Sequence, residues 1–256
     1  MTNPDGAPAL SAKNICKSFG DKKILRGISV DVAKGEHIAI IGPSGSGKST
    51  FIRCLNLLEM PDNGTLRLDG QQVLDAELKT PTRSVRSLRK RVGMVFQSFN
   101  LFSTHTALEN VSLAQRLALG RTRDESSTRS EELLKRVGLK DHMDKRPGQL
   151  SGGQQQRVAI ARTLAMDPEV ILFDEPTSAI DPEMRVEVLK VMTELAEGGM
   201  TMMMVTHEIE FAKQAADRVM FLADGEVMEM GPSGQILTDP ENERIRRFVN
   251  ALSGVI

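Results

Sequence analysis

The sequence predicts an α/β fold: a mostly parallel sheet with helices on both faces, preceded by an antiparallel β part and interrupted by a helical block. Three observations carry that expectation. The runs "HIAII", "VILF" and "MMMV" are short and wholly apolar, the mark of strands buried on both faces. Helix-length patterns alternate with them along the chain. Between about residues 98 and 160 no such strand pattern occurs.

From Leu10 to about Val32, alternating runs separated by "FGDKK" and "LRGIS" predict antiparallel strands. "HIAIIG" is the first buried strand. After "GPSGSGKST", "FIRCLNLL" reads as a helix ended by Pro61 and "DNG". "GTLRLDG" predicts another edge hairpin, and "RVGMVFQ" a further buried strand. Residues from about Asn100 to Asp144 are richer in helix formers, with "SSTRSEELLKRVGL" a capped, amphipathic helix. "LSGGQQQRVAIARTL", from Leu150, is a serine and two glycines running into a helix. Val158, Ala161 and Ala165 share one of its faces, and Pro168 lies just past its end. Alternation then returns: "EVILFDEP" a strand, "PEMRVEVLKVMTELAEGG" a helix, "TMMMVTHE" a strand, "IEFAKQAADRV" a helix, and "VMFLADGEVMEMG" a closing hairpin. The expected division is a disordered lead-in at 1–9 and one domain at 10–256. Within it, 10–97 and 161–256 form the catalytic core and 98–160 a helical subdomain.

With 40% hydrophobic and 26% charged residues, the composition is that of a soluble globular protein. A net charge of −1 supplies no basic field for nucleic acid or an anionic membrane. Cys16 and Cys54 stand in no metal or redox spacing, which suits buried thiols in a reducing compartment. "MTNPDGAPAL" lacks the basic flank and apolar stretch of a signal peptide, and no apolar run approaches the ~20 residues of a membrane helix. The expectation is a cytosolic chain unless a partner tethers it. There is no Trp or Tyr, so base stacking falls to one of nine Phe.

"GPSGSGKS", Gly42 to Ser49, fits the pattern of a loop that cradles phosphate. Gly45 and Gly47 let backbone N–H groups converge on an anion, Lys48 adds charge toward the outer phosphates, and Ser49 offers a hydroxyl to Mg²⁺. A buried strand before it and a helix after it separate this reading from an ordinary glycine-rich turn. "VILFDEP" supplies the second half: Asp174, ending a buried parallel strand, faces the same rim as the loop and would reach Mg²⁺, while Glu175 would polarise the attacking water. Two adjacent acids are more often a solvated turn, but here they follow four apolar strand residues directly. His207 follows "MMMVT" at that rim and could donate to a γ-phosphate, and Gln97 could touch metal or water. On spacing alone each is equally a packing or surface residue. Ser151 onward is a second anion cradle, at a bare helix N-terminus, with no lysine.

In this order these elements resemble the ATP-binding subunits of ABC transporters, with a P-loop NTPase core, over essentially the whole chain. "LSGGQ" matches that family's signature motif letter for letter, at the expected distance before "ILFDEP". The resemblance implies two copies packed head to tail. Ser151, Gly152, Gly153 and Gln154 of one close over ATP held by the other's Gly42, Pro43, Ser44, Gly45, Ser46, Gly47, Lys48, Ser49 and Thr50, so that two sites form together. It implies ATP and Mg²⁺ as ligands, with Asp174, Ser49 and Gln97 toward the metal, Glu175 as general base and His207 as the switch histidine. Asp181 in "SAID" stands at the D-loop position, where Ile180 replaces the usual Leu. Phe19 in "KSFG" takes the place of the Tyr that stacks on adenine, keeping the π-face and losing a hydroxyl.

"GMVFQSFNLFSTHTALENV" and "TDPENERIRRFVNAL" look like the polar-amino-acid uptake subfamily, although Ser103 stands where Pro often follows "NLF". The implied machine is an importer: two copies of this chain, two membrane-spanning permease subunits and an extracytoplasmic solute-binding protein, with this chain peripheral on the inner face of the membrane. The segment after Gln97 through Asn110 is the expected route of transmission to the permease. Because the sequence stops soon after the tail helix, no added regulatory domain is expected. An exporter subunit of the lipoprotein-release or peptide type is the nearest rival. A DNA-acting member would carry long coiled coils, and a translation-linked one two cassettes. "RSVRSLRKR", Arg83 to Arg91, reads as a solvated face rather than a nucleic-acid patch.

Overall fold

The computed structural model of the protein describes residues 6–76 and 82–253. Residues 1–5, most of the expected lead-in, and 254–256 lie outside them. Ala9 is buried, and its carbonyl accepts from the Asp69 N–H, so packing begins before the first strand.

An antiparallel sheet comes first. β1 (Leu10–Phe19) and β2 (Lys22–Val32) form a hairpin, and β4 (Asn63–Leu68) and β5 (Gln71–Asp75) extend it in the order β2-β1-β4-β5. The "GTLRLDG" hairpin is thus on the edge only through β5. The second sheet contains β3 (His37–Ile41), β6 (Val92–Val95), β7 (Val170–Asp174), β8 (Thr201–Val205), β9 (Arg218–Ala223) and β10 (Glu226–Pro232). Its order is β10-β9-β3-β8-β7-β6. The β9–β3–β8–β7–β6 pairings are parallel, and β10 joins antiparallel through the closing hairpin.

Both faces of this sheet are covered, which is why its strands read as unbroken apolar runs. Alternation divides them cleanly. Ala39, Ile41, Ile171, Phe173, Met202 and Met204 pack on the side of the helical residues, while Ile38, Ile40, Val170, Leu172, Met203 and Val205 pack on the side of the antiparallel sheet. Met202–Met204 are core, each fully buried. Burying one such side chain contributes about 1.5–3 kcal/mol.

The helices are α1 (Lys48–Leu55), α2 (Thr82–Arg91), α3 (Ala107–Ala114), α4 (Arg123–Arg136), α5 (Gly152–Leu164), α6 (Pro182–Glu197), α7 (Ile209–Ala215), α8 (Ser233–Thr238) and α9 (Glu243–Ser253). Several differ from the sequence expectation. α7 stops at Ala215 because Arg218 and Val219 already belong to β9, and α8 has no counterpart in that expectation. α1 ends at Leu55, well before Pro61, because Leu57 takes a left-handed φ of +59°. α4 starts earlier than "SSTR": Thr122 and Glu125 form its capping box, and Ser126 is buried inside it. "RSVRSLRKR" lies wholly within α2, whose Leu88 is buried. α5 runs unbroken through residue 160. Cys54 is buried, which pushes its thiol up to about 12, whereas Cys16 is only half-buried. None of the described helices is long and apolar enough to cross a membrane.

Candidate nucleotide site

Strand register assembles the site. Ile40 pairs with Val205, Val205 with Asp174, and Phe173 with Val95, so β3, β8, β7 and β6 end at one rim. The residues just beyond those ends are Gly42, His207, Glu175 and Gln97. β8 lies between β3 and β7, which leaves the phosphate loop and the acidic pair flanking a shared strand.

A cavity of 370 Å³ opens there, lined by Phe19, Ser44, Gly45, Gly47, Lys48, Ser49, Thr50 and Glu175, with Lys22 and Ile24 from β2. Gly42 leaves β3 at φ +144°, a turn made where a Cβ would lie 2.0 Å from the Leu222 carbonyl oxygen. Gly47 begins α1, and no acidic residue occupies the first turn to oppose an incoming anion. The Lys48 ammonium donates to the carbonyls of Gly42 (2.8 Å) and Pro43 (3.0 Å), using two of its three protons. Burial pulls its pKa below the usual lysine value, opposed by Glu175 and Asp174. Ser46 is buried, and its hydroxyl has no partner among the described residues.

Asp174 is 1% exposed. One carboxylate oxygen accepts from Arg53 Nε (3.1 Å) and pairs with the Arg53 Nη2 charge at 2.9 Å, while the other is buried without a partner among the described residues. Arg53 is a residue that motif reading missed: it sits on α1 outside any signature, and only the packing of α1 against β7 reveals it. An unpaired buried carboxylate oxygen is costly unless something arrives to meet it. No group of three His, Cys, Asp or Glu able to hold a metal occurs among the described residues. One carboxylate with a bare, buried oxygen fits Mg²⁺, which is commonly held by few protein groups together with substrate phosphates.

Glu175 adopts a left-handed φ of +50°, rare for a side chain that is not glycine. That conformation turns its carboxylate from the end of β7 toward β8. One oxygen lies 3.3 Å from His207 Nε2 and the other accepts from Ser178 Oγ at 3.0 Å. The hydrogen bond from His207 holds this carboxyl below its usual range despite partial burial. The structure therefore pairs His207 with Glu175, a contact invisible in the sequence. Gln97 is exposed just past β6 and does not line the cavity. Phe19 stands half-exposed at the cavity's edge, with Lys17 Nζ 5.3 Å from its ring centroid. Phe19→Ala is expected to weaken ATP binding about tenfold, from a stacking contribution of about 1–3 kcal/mol per base, while Phe19→Tyr leaves it unchanged. Titration with a fluorescent ATP analogue checks both.

None of Ser151, Gly152, Gly153 and Gln154 lines that cavity. Ser151 caps α5: its hydroxyl accepts from Gln154 N–H, and the Gln154 side-chain oxygen accepts from Ser151 N–H. Gln154 Nε2 lies 3.2 Å from His142 Nε2, so the last residue of the signature is committed within its own chain. A Cβ on Gly153 would meet Met184 Cβ and its carbonyl at 3.1 Å, so α5–α6 packing alone favours glycine there. Asp181 is exposed at the start of α6.

The ABC transporter family matches residues 25–178, more than half of the chain. The chain belongs to the ABC transporter family. This cassette is 50% identical over 243 residues to the L-cystine import ATP-binding protein TcyC of Bacillus subtilis, covering 95% of this chain and 98% of that one. It is 47% identical over 243 residues to the arginine transport ATP-binding protein ArtM of the same organism, covering 95% and 99%. A solved dimeric cassette, MJ0796 in a post-hydrolysis state with ADP and Pi, superposes with a TM-score of 0.77 at 36% identity, covering 88% of this chain and 98% of that one. The cassette is a nucleotide-binding ATPase subunit.

Proposed function

We propose that this cassette hydrolyses ATP to drive uptake of a small polar solute, an amino acid or close relative, through separate permease subunits. The single observation that carries the chemistry is the cavity lined by both Lys48 of the phosphate loop and Glu175, whose carboxylate lies 3.3 Å from His207 Nε2. The relatives named for L-cystine import and arginine transport support the solute class.

The loop Gly42–Thr50 binds the triphosphate through its backbone N–H groups and Lys48, and Phe19 stacks on the base. Asp174, through its unpartnered oxygen, Ser49 and Gln97 would hold Mg²⁺. When bound, that ion neutralises charge on the β- and γ-phosphate oxygens. Glu175 accepts a proton from water as its oxygen attacks the γ-phosphorus and the bond to the bridging oxygen breaks, releasing ADP. His207 orients Glu175 and reaches the γ-phosphate.

Ser151, Gly152 and Gly153 stand away from their own chain's cavity and close over the triphosphate of a second copy, with Gln154 fixing the cap and Asp181 at the same interface. Two copies joined head to tail thus complete two sites, and closure does work on the permease. Residues 10–97 and 161–256 act as the catalytic core and 98–160 as the helical part that transmits. The segment 98–110 suits that task because it is pinned at both ends. Asn110, fully buried, bonds Phe102, His105 and Thr106, and Arg162 of α5 donates to the Asn100 (2.7 Å) and Phe99 (3.2 Å) carbonyls. Movement of the signature helix therefore pulls on this loop. A solute-binding protein outside and a peripheral position at the inner membrane face complete the proposed machine.

Reconstituting the cassette with its permease subunits and assaying ATP-dependent uptake over amino acids tests the solute class. Uptake of an amino acid is the expected result, and transport of none of them overturns it. An ATP-bound crystal of a hydrolysis-dead variant tests the dimer. Ser151 is expected against the partner's triphosphate, and its absence there refutes the head-to-tail site.

A further inference from the structure

Glu208 opens α7, where an acidic side chain would ordinarily turn back on its own helix N-terminus, yet it makes no capping hydrogen bond. Its carboxylate crosses to the loop that follows β7. One oxygen accepts from Thr177 Oγ1 (3.2 Å) and from Arg185 Nη1 (3.3 Å). Arg185 Nε also donates to the Ile180 carbonyl at 3.0 Å, and the Glu208 N–H donates to Thr206 Oγ1 at 3.0 Å. Glu208 thus stands one residue after His207 and grips Thr177, two residues after Glu175. The Glu175–His207 contact is one rung between the two loops, and Glu208–Thr177–Arg185 is a second.

A second rung has a physical reason. The first is a partly exposed pair at 3.3 Å, and such pairs contribute little by themselves. Glu175 is also held in a strained left-handed conformation, which persists only where the surroundings enforce it. Thr177 is buried, so its hydroxyl anchors the loop from within.

We propose that Glu208, acting with Thr177 and Arg185, is a positioning residue that holds His207 against Glu175 in the geometry hydrolysis requires. The proposal rests on the reading of Glu175 as the base. Because small misplacements at a reacting centre cost rate rather than affinity, Glu208→Ala is expected to lower kcat about tenfold or more. The KM for ATP and binding of a fluorescent ATP analogue stay within about twofold of wild type. Glu208→Gln keeps an oxygen for Thr177 and recovers most of the rate. In a Glu175→Gln background, Glu208→Ala lowers the residual rate no further.

A folded Glu208→Ala protein with wild-type kcat overturns the proposal. So does a parallel loss of kcat and ATP affinity that Glu208→Gln fails to rescue, the pattern of a merely structural brace. If Glu208→Ala does not fold, Thr177→Val removes one donor alone: a several-fold loss of kcat at constant KM supports the proposal, and an unchanged kcat refutes it. Near wild-type hydrolysis by Glu175→Gln would defeat the base assignment, whereas its collapse beside an unaffected Glu208→Ala would defeat only the brace.

Discussion

Glu175→Gln lowers ATP hydrolysis by about 10²–10⁴-fold, the usual range for removing a general base, while ATP-dependent dimerisation persists or increases. The amide keeps the size of the carboxylate and an oxygen to accept from Ser178, so the loop after β7 stays in place. It loses the capacity to take a proton from water. In the proposed dimer, ATP would then join two copies without being consumed, because release of the interface would follow loss of the γ-phosphate. Phosphate release measures the first effect, and size-exclusion chromatography with ATP the second. Hydrolysis near the wild-type rate would remove Glu175 from the role of base.

Gly42→Ala destabilises the fold by about 3 kcal/mol or more, from positive-φ strain together with overpacking. For a chain of this size that corresponds to a melting temperature lower by roughly 6–12 °C. The methyl group would stand 2.0 Å from the Leu222 carbonyl oxygen, and that backbone belongs to β9, hydrogen-bonded to β3. Neither strand can retreat without breaking the pairing that positions the phosphate loop. Gly45 has a similar left-handed requirement but open space around its Cβ, so Gly45→Ala costs about 1 kcal/mol, the backbone term alone. Thermal unfolding followed by circular dichroism separates the two, and equal melting temperatures would show that the Leu222 contact yields easily.

Much of this molecule could be read from one dimension. The buried strands announced themselves because both sheet faces are covered, so no polar residue interrupts them. The phosphate loop was legible because its glycines, lysine and hydroxyls act within a few residues of one another, and Asp174–Glu175 because the pair terminates an apolar strand. Boundaries were less legible. The end of α1 turns on the left-handed φ of Leu57, and the start of α4 on which of several hydroxyls caps it. Gly153 gave no hint of its neighbour on α6, since Met184 lies 31 residues away in sequence.

Sequence alone determined the α/β class and the alternation of its buried strands with helices, α2 and α8 apart, and it pointed to residue types suited to a triphosphate, all consequences of local pattern and short-range spacing. Tertiary structure decided who meets whom. It placed β8 between the loop and the acids, gave Asp174 an arginine from α1, bent Glu175 onto His207, and tied Glu208 to Thr177 and Arg185. Each of those contacts joins segments far apart along the chain, and only strand register and helix packing bring them within hydrogen-bond reach.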